Sequence, residues 1–281
     1  MKKNKVASVF KKIFFCILSF VLSLVLFALS VSAVLSMTFF DMNSFLSTMK
    51  ATSYYEEKKE ELINNLTDLT YPSGLKESFF EEMITTEMIS GDTLSYITGF
   101  FDGSKDVVDD TAFRQSFSEA LDKYIADNNI KNVNTKNLNS LINKAGKTYS
   151  KTLSIPLLRT ISTYFHFIKK WLYIAIIALA CSAVLLILIL MVSNRWLHRK
   201  IKYICFATSG TFLSLLGIAV FLTVNGGISH IQLESLGLYN FLVHLVNGIN
   251  IAIWFASGLF LVISVILFVI YSRIIKETSK R

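Results

Sequence analysis

By length alone 281 residues would fill one or two soluble domains, but 53% of them are hydrophobic, only 17% are charged and the mean hydropathy is +0.51. That balance excludes an ordinary water-soluble enzyme and a disordered chain. The net charge of +8 would suit a nucleic-acid partner, until the charges are sorted by segment.

Four windows, 13–35, 171–192, 203–224 and 251–271, contain no Asp, Glu, Lys or Arg, and Pro72 and Pro156 both lie outside them. At about 1.5 Å per helical residue each window crosses a hydrocarbon core of roughly 30 Å. The pattern predicts an all-α fold: a four-helix transmembrane protein with an extracytoplasmic α-helical domain between spans 1 and 2. In chain order the expected parts are a basic cytoplasmic tail (1–12), span 1 (13–37), the helical domain (38–168), span 2 (169–192) and a basic cytoplasmic loop (193–202). Span 3 (203–224), an extracytoplasmic interfacial loop (225–250), span 4 (251–271) and a cytoplasmic tail (272–281) complete the chain.

The orientation comes from lysine and arginine. The two tails and the 193–202 loop hold 13 basic residues against one acid, Glu277, whereas the 225–250 loop has no Lys or Arg and residues 38–165 carry 13 basic against 18 acidic residues. Short cytoplasmic loops are enriched in Lys and Arg, so both termini are expected in the cytoplasm of a plasma-membrane protein. The basic excess is then an orientation signal that also attracts anionic lipid, and no nucleic-acid partner is expected. At the N-terminus, Val31-Ser32-Ala33 resembles a signal-peptide cleavage site. The apolar run is longer than the usual stretch of about 7–15 residues and continues through Val34 and Leu35, so the first span is expected to be retained.

Between spans 1 and 2 the apolar residues recur at helical spacing. Phe113, Phe117, Ala120, Leu121, Tyr124 and Ile125 form one such face, and Leu138, Leu141, Ile142, Ala145 and Tyr149 another. Turn signals at Tyr71-Pro72-Ser73-Gly74, Gly91-Asp92, Asp102-Gly103-Ser104 and Asn128-Asn129, with Ser73, Asp92, Asp110 and Asn134 as N-caps, predict five helices near 42–68, 74–90, 93–101, 111–128 and 135–168. The first is expected to continue span 1 outward, and the last to bend at Pro156 and run into span 2.

Tyr54-Tyr55 with Glu56 and Glu57, then Pro72-Ser73-Gly74-Leu75, then Ile155-Pro156-Leu157-Leu158, resembles an arrangement in uncharacterised multi-span membrane proteins of low-GC Gram-positive bacteria. The resemblance covers roughly residues 10–190. It implies a bacterial plasma membrane and carries no activity with it.

Sites for chemistry are few. Residues 38–165 contain no His and no Cys, so no zinc site and no cofactor are expected there. Asp102-x-Ser104-x-Asp106 with Asp110 begins like a calcium loop, but Val107 stands where the turn glycine belongs and Phe113 where a bidentate Glu should be. It reads as an acidic loop. The three cysteines, Cys16, Cys181 and Cys205, fall in or beside apolar windows, where cysteine behaves as a small hydrophobe. In the last loop His230 and Glu234 are four apart and His244 follows, with His166 near the end of the helical domain; the first three are the candidate catalytic residues of an enzyme acting on a lipid or lipoprotein. Small residues at four-residue spacing, namely Ser19 and Ser23, Ala28, Ser32 and Ser36, Ala178 and Ser182, Gly210 and Ser214, and Ala252 and Ala256, predict close helix packing.

The functional reading of the sequence is non-enzymatic: an outer helical domain that binds an envelope partner as accessory subunit, sensor or scaffold, with the bilayer and a protein partner or second copy as its contacts. The alternatives are the outer-leaflet enzyme and an oligomeric pore or transporter with Asn225, Asn247 and Asn250 near its mouth. The orientation is directly checkable. A single cysteine placed in 38–165 should react with a membrane-impermeant maleimide in intact cells and one at Lys200 should not; labelling at Lys200 reverses the topology.

Overall fold

The computed structural model describes residues 2–104, 107–130, 133–194, 196–225 and 235–279, and every regular element among them is helical. In chain order these are α1 (Lys2–Thr38), α2 (Met42–Ala51), α3 (Tyr54–Thr70), a 3-10 turn (Tyr71–Ser73), α4 (Glu77–Met83), α5 (Thr86–Asp102), α6 (Thr111–Asp127), α7 (Thr135–Leu153), α8 (Pro156–Ser193), α9 (Leu197–Val224) and α10 (Leu236–Ser279). Four of them contain stretches long and apolar enough to cross a membrane: Phe10–Thr38, Tyr164–Ser193, Leu197–Val224 and Leu236–Glu277. The chain is therefore a multi-pass membrane protein by its helices. It divides into a membrane unit (1–41, 169–230 and 245–281) and a helical unit (42–168 and 231–244).

In the membrane unit α1 and α9 approach closely, because small polar side chains let their backbones meet. Ser19 Oγ donates to the Tyr203 carbonyl at 2.6 Å and Thr211 Oγ1 to the Ser23 carbonyl at 3.1 Å. A Cβ on Gly210 would lie 2.6 Å from Ser23 Oγ, so the crossing admits no side chain there as it stands. Phe15, Leu22, Ala183, Leu190, Tyr203 and Ala207 form one apolar cluster, and Val34, Leu215, Ala219 and Ile253 another, with Ala252 and Ala256 packed against it. Ser264 Oγ donates to Thr208 Oγ1 at 3.0 Å, joining α10 to α9. Ala178 and Ser182 depart from the expectation: both are exposed, and Ser182 Oγ returns its bond to the Ala178 carbonyl of its own helix.

The helical unit is built on aromatic rings. Phe80, Phe117, Phe113 and Tyr149 stack in sequence, with centroids 6.0, 5.8 and 4.3 Å apart, and so bind α4, α6 and α7 together. A second set joins Phe101 to Phe45 and Phe165, and Phe45 to Phe241 at 4.7 Å. Phe241 belongs to the first turns of α10, is fully buried and also meets Tyr54 edge-on. Residues 236–250, expected as part of an interfacial loop, thus belong to α10 (Leu236–Ser279), and Leu238 and Phe241 fill the core of the helical unit.

Several boundaries differ from those expected. α1 stops at Thr38, where the amides of Phe39 and Phe40 both reach back to the Leu35 carbonyl, and does not continue into α2. The expected 42–68 helix is broken at Ser53, which adopts a left-handed conformation with φ 51°. The break anticipated at Gly91-Asp92 is absent. Gly in a helix costs about 1 kcal/mol, which burial of Ile89, Thr93, Tyr96 and Ile97 on the same helix outweighs, and the Asp92 carboxylate accepts a bond from the Tyr149 hydroxyl. The actual break lies at Ile84 and Thr85, where Thr85 Oγ1 caps the Met88 amide at 3.2 Å. Pro156 opens a new helix after extended Ser154, as proline at the first helical position should. Asn134 caps α7 as expected, accepting from the Lys136 and Asn137 amides, and Gly103 ends α5 at φ 77°. Asp110 precedes α6, but its carboxylate goes to Arg114 and the cap is supplied by Asp109.

Removing the Phe241 ring should destabilise the helical unit by about 3–5 kcal/mol. Phe241→Ala is accordingly expected to raise hydrogen exchange in α2 and α3 of the detergent-solubilised protein. A 41–166 fragment, which lacks this ring, should show the same deficit despite being helical.

Candidate functional site

On α3, Tyr54, Glu57, Lys58 and Glu61 recur at i, i+3, i+4 and i+7, and so share one helical face. In an isolated helix such a face would be solvated. Here it packs inward: Tyr54 is fully buried and Lys58 retains only 4% exposure. A buried ammonium needs a partner, and Lys58 Nζ donates to Glu61 Oε2 at 2.8 Å while lying 6.0 Å above the Tyr54 ring.

The same Glu61 oxygen accepts from Ser235 Oγ at 2.6 Å, and Asn240 Nδ2 donates to Glu57 Oε1 at 2.9 Å. Ser235 also caps α10, its hydroxyl accepting from the Leu238 amide at 3.4 Å. Two carboxylates thus face the first turn of α10, where unpaired amides and the helix dipole favour negative charge. Gly237 makes the approach possible. A Cβ there would stand 3.2 Å from Glu57 Oε2 and 3.6 Å from the Tyr54 carbonyl oxygen.

Two atoms of the cluster, Tyr54 Oη and Glu57 Oε2, are buried with no hydrogen-bond partner among the described residues. Burial holds the Tyr54 hydroxyl well above the usual phenol range, helped by the negative charge of Glu61. Tyr149 is raised in the same direction, first by burial and then by its bond to Asp92. The Glu61 carboxylate is occupied by an ammonium and a hydroxyl and that of Glu57 by the Asn240 amide, so the arrangement serves as a clamp between α3 and α10.

The residues singled out in the sequence are scattered. His230 and Glu234 lie outside the described residues. His244 is described and stands exposed on α10, one turn after Asn240. His166, on α8, places Nε2 3.1 Å from the Phe100 carbonyl at the end of α5, which also accepts from the Gly103 amide at 3.3 Å. Of the calcium-like loop, Asp106 lies outside the described residues and Asp110 is engaged by Arg114. Among the described residues no three His, Cys, Asp or Glu side chains are grouped to hold a metal. Two apolar grooves belong to the membrane unit, one of them of about 670 Å³ and lined by Ile251, Trp254, Phe255, Gly258, Leu259 and Val262.

Neither family models, curated proteins nor solved structures match the chain. Lys58, Glu61, Ser235 and Asn240 were not singled out by sequence reasoning, and Glu57 only as part of the motif that begins at Tyr54; the one local signal was an acid–base face beside Tyr54 on a helix that must also bury Leu62 and Leu66.

Glu61→Leu should cost about 3 kcal/mol, because it leaves a buried ammonium unpaired. The double variant Lys58→Met with Glu61→Leu should cost clearly less than the sum of the single changes. Thermal unfolding of the four proteins of the cycle, read by circular dichroism in detergent, measures the coupling.

Proposed function

We propose that this chain is a plasma-membrane protein, with both termini cytoplasmic, whose helical unit stands on the extracytoplasmic side and binds another envelope component. It works as an accessory subunit, sensor or scaffold, and not as an enzyme. The four candidate spans support the membrane setting, and the 13 basic residues of the tails and the 193–202 loop support the orientation. The observation that carries the binding reading is the helical unit itself. Its polar cluster of Glu57, Lys58, Glu61, Ser235 and Asn240 is spent on holding helices together, so that its outer faces are what it offers to others.

The test is complementation of a deletion strain. His230→Ala, Glu234→Ala and His244→Ala should all restore function. Phe117→Asp, which forces a charge into the ring stack at a cost of several kcal/mol, should abolish it while the spans still insert. A normally expressed but inactive Glu234→Ala or His230→Ala protein would overturn the proposal in favour of the interfacial enzyme.

A further inference from the structure

Charge is not evenly spread over the helical unit. Residues 38–165 hold 18 acids and 13 bases, yet α7 carries four lysines and no acid, which leaves 9 bases against 18 acids in the rest of the segment. Lys136, Lys144, Lys147 and Lys151 stand at i, i+8, i+11 and i+15. At about 100° and 1.5 Å per residue they fall within an arc of roughly 80° and extend over about 22 Å. All four are exposed, and none is paired with an acid among the described residues. The opposite side of the helix is committed to the core through Ala145, Gly146, Tyr149 and Leu153. Like charges at i, i+3 and i+4, as in Lys144, Lys147 and Lys151, weaken a helix, and no acid on α7 offsets them.

We infer that the lysine face of α7 binds a linear, phosphate-bearing polyanion. The inference rests on the reading that the helical unit binds an envelope component, and names the chemistry of that component. Ammonium groups recognise phosphate as point charges, without the planar fork of arginine; α7 itself contains no arginine, and Arg114 of α6, which reaches Asn143 beside the row, is held by Asp110. Exposed Ser140 lies between the lysines and adds a hydroxyl donor. The only aromatic of α7, Tyr149, is buried, so the face has neither a platform for stacked bases nor the aromatic anchors that dominate protein interfaces. Helices that lie in a lipid surface insert their apolar side, and that side of α7 is already occupied by the core. A narrow row of flexible cations instead matches a narrow row of anions, with counterion release as the driving force.

The experiment uses the full chain in nanodiscs of zwitterionic lipid, with poly(glycerol phosphate) and short-chain polyphosphate as probes. Wild type should bind both polymers, with a salt dependence of log K on log salt of about −3, at roughly 0.7 per phosphate contact for four contacts. Changing the four lysines to Gln should weaken binding by at least tenfold and flatten that slope, and changing them to Arg should preserve it. Lys76→Gln with Lys123→Gln, which removes charge elsewhere on the unit, should bind like wild type. The inference is overturned if the four-Gln protein binds like wild type, if the Lys76 and Lys123 control loses as much, or if the chain ignores both polymers and prefers vesicles of anionic lipid or an acidic protein. Labelling of Ser140→Cys by impermeant maleimide in cells separates the two readings. Polymer binding without outside labelling removes the proposed orientation and leaves the lysine face standing; labelling without polymer binding removes the inference alone.

Discussion

Glu61 makes the interior of the helical unit tolerable. Its Oε2 neutralises the ammonium of Lys58, which has almost no access to water, and accepts the hydroxyl of Ser235 from a part of the chain 174 residues away. Because Ser235 also caps α10, the start of that helix and the position of α3 depend on one carboxylate. Glu57 repeats the arrangement one turn earlier, through Asn240. Buried ion pairs seldom add stability over apolar packing of the same volume, so the return on such an arrangement is directional. Phe241, one residue beyond Asn240, is held in register with Phe45 and Tyr54.

Apolar contact alone cannot order helices within a membrane, since lipid tails are as apolar as leucine. The membrane unit meets this constraint with short polar side chains. Ser19, Thr211 and Ser264 each donate across a helix pair, and Gly210 removes the atoms that would hold α1 and α9 apart. By contrast α8 turns Ile177, Val184, Leu185 and Leu188 outward, the composition that a hydrocarbon environment accommodates.

How much of this was legible depended on whether the signal was local. The apolar runs of the spans, the one-face patterns of α6 and α7 and the Asn134 cap are properties of consecutive residues, and reading them needed no tertiary information. Gly91-Asp92 read as a break because a turn and a buried helix bonded to Tyr149 look alike at two residues' range. Ser53 carried no mark of its left-handed conformation, and Pro156 could signify a bend or a beginning. The clamp was illegible for a different reason. Glu57 and Glu61 are ordinary residues of a charged helix until Ser235 and Asn240 arrive, and no periodicity links positions separated by 174 and 183 residues. Histidines drew notice for their chemistry, whereas His166 lies with its Nε2 beside the Phe100 carbonyl at the end of α5.

The seat of Phe241 also sets an order of events during biosynthesis. Residues 42–168 leave the ribosome long before it, and roughly 70 more residues, including all of α9, must follow first. At about 5–20 residues per second that delay is about 4 to 15 s, far longer than local helix formation takes. Through this interval Phe45 and Tyr54 lack their covering ring, and Lys58 and Glu61 lack Ser235. For those seconds a nascent chain of this design lacks the contacts that α10 supplies, so its maturation is open to chaperones and proteases until α10 docks.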